Sequence, residues 1–306
     1  MQTRAMGPGA GWRWLMQGIN LGRNNPRAVF GGAALLIAVV LVPTVIQLIL
    51  QVGLKLDSEG LMFALGAFSL LYSVLVVMPL IGGMLRVIHA SESGRETRAA
   101  AIFDVFKSGQ GYVRIVAVSI ALAALATVVI GLIFAFLGPG VAEWYTQAVI
   151  ASQNLKPGAA APNLPPLPDG IGAVVGLIIL FGLFMQGLHA VAFGQIALTD
   201  RSVPGALGDG FMGALKNLLP LLVLLVAFAV AAMLALVLLV LLGGLLGAIG
   251  SLVHPALGEA LAAPLSLAFL LILYVVVFGV MYHLWRDVTG AGGSAPPADR
   301  SGEIEA

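Results

Sequence analysis

The chain has 306 residues, of which 60% are hydrophobic and only 9% charged; a soluble domain carries about 25% charged residues. At a mean hydropathy of +1.04 no soluble fold of this length could hide its apolar surface, so composition excludes a soluble domain and predicts a polytopic integral membrane protein. The net charge of +1 gives no argument for a nucleic-acid or acidic partner, and with no cysteine the chain has no disulfide, thiolate metal site or Cys nucleophile.

Residues 11–26, GWRWLMQGINLGRNNP, lie directly before the first long apolar run. Trp12, Leu15, Met16 and Ile19 fall at i, i+3, i+4 and i+7, which predicts an amphipathic helix. Six apolar runs follow, at 28–52, 61–88, 113–137, 171–198, 218–249 and 261–285, with no acidic residue in any of them. Each reaches the ~20 residues a helix needs to cross the hydrocarbon core, and lipid leaves backbone groups no outside partner, so helices are expected. No small-residue cleavage pattern follows the first run, which reads as a retained span. The fifth run would extend beyond a core of ~30 Å. It must tilt, break near Gly243-Gly244 or start outside the core before Pro220, and the last is favoured.

Orientation follows from the basic residues. Of the 15 Lys and Arg, only Lys55 and Lys156 fall on the side opposite the N-terminal segment. The positive-inside rule then puts both termini in the cytoplasm. In the loop 138–170 on the far side, the first half predicts a surface helix with Trp144 and Tyr145 at the headgroups, and the Pro-rich second half an extended chain. The tail, 289–306, has the composition of a disordered end.

The opening segment overlays residues 99–113 with a shift of about 87 positions, and these overlay 204–218 with a further shift of about 105. In this register Gln17, Asp104 and Asp209 coincide, as do Asn25 and Asn217, while Tyr112 breaks the match. The expectation is an all-α integral membrane fold, with six transmembrane helices as three hairpins, each preceded by a cytoplasmic amphipathic interfacial helix. The units would run over 12–90, 99–200 and 204–288, related by an axis along the membrane normal.

The opening segment, the PLIGGMLRVIHASESG and AIFDVFKSG stretches and FGQIALTDRSVPGALGDGF resemble a proteobacterial family of uncharacterised inner-membrane proteins. In layout the chain is also similar to the membrane domain of glycerophosphodiester phosphodiesterases. The resemblance implies a six-span inner-membrane fold. It implies no activity, since the shared motifs are structural and the chain lacks a phosphodiesterase catalytic domain.

Polar side chains inside spans are where function is sought first. Gln186, His189 and Gln195 on the fourth span form the densest set, a candidate polar lining against the commoner role of interhelical hydrogen bonding. His283, beside Tyr282 and Trp285, reads as an interfacial anchor; His89 and His254 read as loop residues, with His254-Pro255 a turn. Gln47 and Gln51 read as a polar helix end, Pro79 and Pro264 as permitted kinks, and Gly172/Gly176 and Gly243/Gly247 as helix-packing pairs. GALGDG around Asp209 resembles the Gly-x-Gly-Asp of intramembrane aspartyl proteases but has Ala206 where glycine is needed. No catalytic, metal-ligand or phosphate-loop motif is present, so no catalytic residue, metal or cofactor is expected. The expected role is non-enzymatic: an inner-membrane protein that binds or organises lipid or protein partners. Trp12, Arg13, Trp14, Arg23 and Arg27 would lie at the lipid interface and meet anionic headgroups, with a membrane-protein partner or a second copy as further candidates. The alternative is a permease or channel for an uncharged or amphiphilic solute.

Overall fold

The computed structural model describes residues 3–56, 58–153 and 166–291. Most of the Pro-rich stretch, with Lys156, and nearly all of the tail lie outside them. Among the described residues every regular element is helical, and six helices are long and apolar enough to cross a bilayer: Pro26–Gly53, Glu59–Glu92, Tyr112–Leu137, Ile171–Leu198, Leu218–Ser251 and Ala256–Thr289. The chain is a multi-pass membrane protein.

The first span is α2 (Pro26–Val40), α3 (Val42–Leu48) and a π-helical turn at Ile49–Gly53; the second is α4 (Glu59–Tyr72), a π-helical turn at Ser73–Val77 and α5 (Met78–Glu92). Spans three to six are α6 (Tyr112–Leu137), α8 (Ile171–Leu198), α10 (Leu218–Ser251) and α11 (Pro255–Thr289). Three short elements precede the odd spans: α1 (Ala10–Ile19), a 3-10 helix at Ala99–Phe106 and α9 (Val203–Lys216). On the far side, α7 (Pro139–Gln153) forms where a helix is predicted.

The last span is longer than its apolar run, so Glu259 and Asp287 are helical residues of α11, and His89 lies in α5 rather than in a loop. The fifth run needs no break: α10 is continuous for 34 residues through Gly243-Gly244, and its first turns, at Pro220, Leu221 and Leu224, are buried. His254 caps α11, its Nδ1 accepting from the Ala256 backbone N–H at 3.2 Å.

Two prolines interrupt spans, and each interruption is repaired by a tyrosine. A proline has no N–H for the carbonyl four residues back, and in lipid that carbonyl needs another donor. Behind Pro43 the Val39 carbonyl accepts from Tyr72 Oη at 2.9 Å. Behind Pro79 the Leu75 carbonyl accepts from Tyr112 Oη at 3.0 Å. The first bond ties span one to span two and the second ties span two to span three. Pro264 sits inside α11, which continues unbroken past it.

The core sits at one end of the bundle, the end that carries most of the basic residues. In α2 the buried residues are Ala28, Val29, Gly32, Ala33 and Leu36; in α6 they are Ile115, Val118, Ser119 and Leu122; α4 has none. In α8 nearly all lie between Leu183 and Ala197, and in α11 nearly all between Val275 and Thr289. Toward the other end most large apolar side chains are exposed, from Val45 to Leu71 and from Val226 to Val253. Lipid solvates such residues as well as a protein interior would, so apolarity alone gives the spans no reason to close there.

At the packed end, α5, α8 and α11 contact one another. Each odd span lies against its successor and against the even span before it: α2 against α5 and α11, α6 against α8 and α5, α10 against α11 and α8. The short elements are inserted one step out of phase. The 3-10 helix packs on α2 and α5, α9 on α8, and α1, at the start of the chain, on α10 and α11 near its end.

Candidate functional site

Each short element buries one face and exposes another, and glycine decides which face of α1 goes inward. The apolar stripe Trp12, Leu15, Met16, Ile19 predicted for an interfacial helix is divided in the structure: Ala10, Gly11, Trp14, Leu15 and Gly18 are buried, while Trp12 is 53% and Ile19 49% exposed. Gly11 lies against the backbone of Pro220 and Leu224, and a Cβ there would overlap the Pro220 carbonyl oxygen. Gly18 lies on the Val276 carbonyl and Val280, where a Cβ would come within 2.8 Å of the carbonyl oxygen. Small residues let backbones meet, and in lipid close contact is what holds helices together.

Trp14 is therefore not at the lipid interface. Its side chain is fully buried and its Nε1–H donates to Asp287 Oδ2 at 3.0 Å. Arg13, 58% exposed at its side chain, lies 3.8 Å from the same carboxylate. Trp12, Arg23 and Arg27 are exposed.

In the register of the sequence overlay, Leu15, Ile102 and Leu207 fall together, and so do Gly18, Val105 and Gly210. Of these, Leu15, Ile102, Gly18, Val105 and Gly210 are buried and Leu207 is packed against the core. One position further, Ile19, Phe106 and Phe211 are all exposed, at 49%, 44% and 49%. The second element, expected as an α-helix, is a 3-10 helix; its period of three puts Ile102 and Val105 on the same inner face.

A polar clasp accompanies each element. Asn25 Nδ2 donates to the Thr97 carbonyl, just before the 3-10 helix, at 3.2 Å. Arg114 donates to the Arg201 carbonyl, just before α9, at 3.4 Å. Asn217 Nδ2 donates to the Arg4 carbonyl, upstream of α1, at 2.9 Å, and its Oδ1 accepts from the Met6 N–H at 2.8 Å. Lys216 adds a bond to the Thr3 carbonyl at 3.0 Å, and the Arg4 N–H reaches the Val288 carbonyl at 2.8 Å. The N-terminal strap thus fastens α9 and α10 to the end of α11.

The three polar residues of the fourth span do not converge on one lining. Gln195 is buried, and its Nε2–H donates to Asp209 Oδ2 at 2.9 Å. Asp209, 7% exposed, also holds Arg201 through two bonds of 2.9 and 3.1 Å. The Gly-Asp segment is thus an anchor for α9, with no second carboxylate facing it among these contacts. His189 stacks on Phe193, centroids 4.3 Å apart and planes at 11°. Gln186 lines a cavity of about 400 Å³ between α8, α10 and α11 whose other lining residues are apolar.

Where α5, α8 and α11 meet, the packed end is filled by aromatic rings. Trp285 lies on Gly194, which has no room for a Cβ, and His89 meets Trp285 edge-on at 6.2 Å and places Nδ1 3.1 Å from Tyr282 Oη. His283, read from sequence as an interfacial anchor, is 4% exposed and belongs to the core. The glycine pairs divide. A methyl group on Gly172, Gly176 or Gly243 would meet nothing within 4 Å, whereas Gly247 and Gly250 lie against Gly258 of α11. Gln47 and Gln51 bond each other at 3.4 Å near the far end of the first span.

Nothing in the sequence marks Asp287, Asn25, Arg114 or the two tyrosines as partners. The tyrosines have one legible signal, a proline in each interrupted span, but their acceptors are 33 and 37 residues away in the chain. No group of three or more His, Cys, Asp or Glu among the described residues has the geometry of a metal site. Comparison with protein families, with curated proteins and with solved structures finds no match for this chain.

Proposed function

We propose that this chain is a non-catalytic protein of a bacterial inner membrane, with both termini in the cytoplasm, that binds anionic lipid headgroups along its basic face. Three similar units would build it, each a short interfacial element followed by a hairpin of spans, with each element docked on the preceding hairpin so that the ring closes on itself. The cyclic contacts and the three clasps from Asn25, Arg114 and Asn217 support the repeat. The resemblance to six-span proteobacterial inner-membrane proteins supports the compartment and adds no activity.

The observation that carries the lipid reading is the exposed triplet Ile19, Phe106 and Phe211. Each projects from an element whose opposite face is locked in the bundle, and exposed Arg23, Arg27 and Lys107 lie close by in sequence. An apolar side chain flanked by cations on a surface helix is the pattern that enters the boundary between headgroups and acyl chains. A Lys or Arg near an anionic surface is worth about 1 kcal/mol. The Arg23→Gln, Arg27→Gln, Lys107→Gln triple variant, extracted with native lipid, should lose about tenfold or more of its co-purifying phosphatidylglycerol and cardiolipin by native mass spectrometry. Undiminished anionic lipid on that variant would sink the reading.

A permease or channel for an uncharged solute is the second reading, favoured by one observation: Gln186 faces a cavity at membrane depth. The aromatic packing of Trp285 and His89 between the inner spans weighs against it. So does the commitment of Gln195 to Asp209, which leaves no continuous polar path through the described residues.

A further inference from the structure

We propose that the cavity between α8, α10 and α11 binds an uncharged long-chain lipid carrying a single hydroxyl or carbonyl head, with Gln186 as the group that recognises the head. The proposal goes beyond headgroup binding at the basic face and does not rest on it.

The cavity holds about 400 Å³, within the range of sites for small ligands, and such sites are typically apolar walls with a few placed polar groups. Leu183 of α8, Leu221, Leu224 and Phe228 of α10 and Val280 of α11 supply the wall; among the described residues Gln186 supplies the only polar side chain. Gln186 is an exposed residue of α8 and makes no hydrogen bond with any described residue. An amide offers two donors and an acceptor, and there is no water at membrane depth to take them. An unpaired polar group in such surroundings costs free energy that a ligand hydroxyl or carbonyl would recover.

The charge of the ligand follows from the lining. Among the described residues no Lys, Arg, His, Asp or Glu faces the cavity. An ionised head would be buried without a counter-charge, which excludes a phospholipid headgroup or a carboxylate from this space. The chain that follows the head has an apolar route out between the helices, since Leu225 and Ile179, also in the wall, are exposed toward lipid.

The position is particular to this seam. Each inner span makes close contacts with its short element, among them Gly83 on Ile102, Leu188 on Gly210, and Gly279 on Gly18. Two residues before those contacts stand Ile81, Gln186 and Val277. Only the middle one is polar. The floor is rigid, because Leu224 and Val280, both in the wall, are also the residues on which Gly11 and Gly18 of α1 rest.

The test uses the full chain in nanodiscs of phosphatidylethanolamine and phosphatidylglycerol with a hexadecanol probe carrying a mid-chain diazirine, and a phosphatidylglycerol bearing the same diazirine as the charged control. After irradiation, adducts are mapped by peptide mass spectrometry. The alcohol should mark the stretches 179–186 and 221–228 in preference to α4, and the charged control should not. Gln186→Leu should lower that labelling about three- to tenfold, the value of one hydrogen bond in a membrane. Gly182→Leu should block it: Gly182 lines the cavity and a Cβ there meets nothing within 4 Å, so the new side chain starts from open space beside Gln186. An unchanged unfolding temperature confirms that each variant remains folded. Labelling that ignores both substitutions, that spreads evenly over α4, or that the charged control reproduces would overturn the proposal.

Discussion

The buried face of α1 is decided by the residues with least to bury. Trp12 and Ile19 carry more apolar surface than Gly11 and Gly18, yet the glycines face the bundle. In water the larger side chains would win; in a bilayer both sides of the helix are wetted by apolar groups, and backbone proximity decides. Gly11→Val should therefore destabilise the protein by about 3 kcal/mol or more, because its new methyl groups meet the backbone of α10 rather than a movable side chain. Trp12→Ala should change stability by no more than about 0.5 kcal/mol. Thermal unfolding in detergent separates the two, and equal effects would mean that the face carrying Trp12 packs in the bundle as tightly as the face carrying Gly11. Asp209 is the other residue whose role came from contacts. Asp209→Leu removes the partner of Arg201 and of Gln195, and should cost about 2 kcal/mol. That is less than the 3–5 of a fully buried pair, since the Arg201 side chain remains 39% exposed. In the Gln195→Leu background the same change should cost less, which a double-mutant cycle reads directly.

At the scale of elements, the proline-tyrosine pairs convert local defects into tertiary bonds. Tyr72→Phe and Tyr112→Phe should each cost about 0.6–1.7 kcal/mol, the worth of an interhelical hydrogen bond in a membrane. The stronger test is Tyr112→Phe made in a Pro79→Ala background. Alanine restores the N–H that the Leu75 carbonyl lacks, so the tyrosine hydroxyl should become dispensable and its removal silent. A full cost persisting there would show that Tyr112 acts by some other contact. The short elements carry a related lesson. The sequence overlay puts an inner and an outer residue in the same place three times, although one element is a 3-10 helix and the others are α-helices. Facing survives the change of helix type because Ile102 and Val105 are three apart, a spacing that both periods keep on one side.

For the whole molecule, the proposed sidedness is open to direct measurement because the chain has no native cysteine. Single-cysteine variants Arg23→Cys and Lys107→Cys should react with an impermeant maleimide only after inner-membrane vesicles are opened to the cytoplasmic side, and Lys55→Cys should react from the opposite side. Labelling of all three from one side would overturn the orientation, and with it the lipid reading of the basic face. The end-to-end closure is also testable. Asn217→Ala removes both bonds that hold the strap at Arg4 and Met6. The amides of residues 3–9 should then exchange faster, while those of α5 and α8 remain protected.

The amino-acid sequence by itself determined the class, the number of spans and nearly all their limits. It did so because a run of ~20 apolar residues has one stable environment, and because lipid allows a lone segment little besides a helix. The overlay of the three short elements was also legible in the sequence, since Leu15, Ile102 and Leu207 and then Ile19, Phe106 and Phe211 fall together when the segments are shifted along the chain. Which side of α1 faces inward, where Trp14 and His283 end up, whether Gln186, His189 and Gln195 share a lining, and which donors answer the prolines were decided only by tertiary structure. The reason is the solvent. In water a hydrophobic pattern points to the core, but in lipid every face of a span is equally apolar. Burial is then chosen by backbone approach and by hydrogen bonds between residues far apart in the chain, such as Trp14 with Asp287 and Asn217 with Arg4, which no local pattern announces.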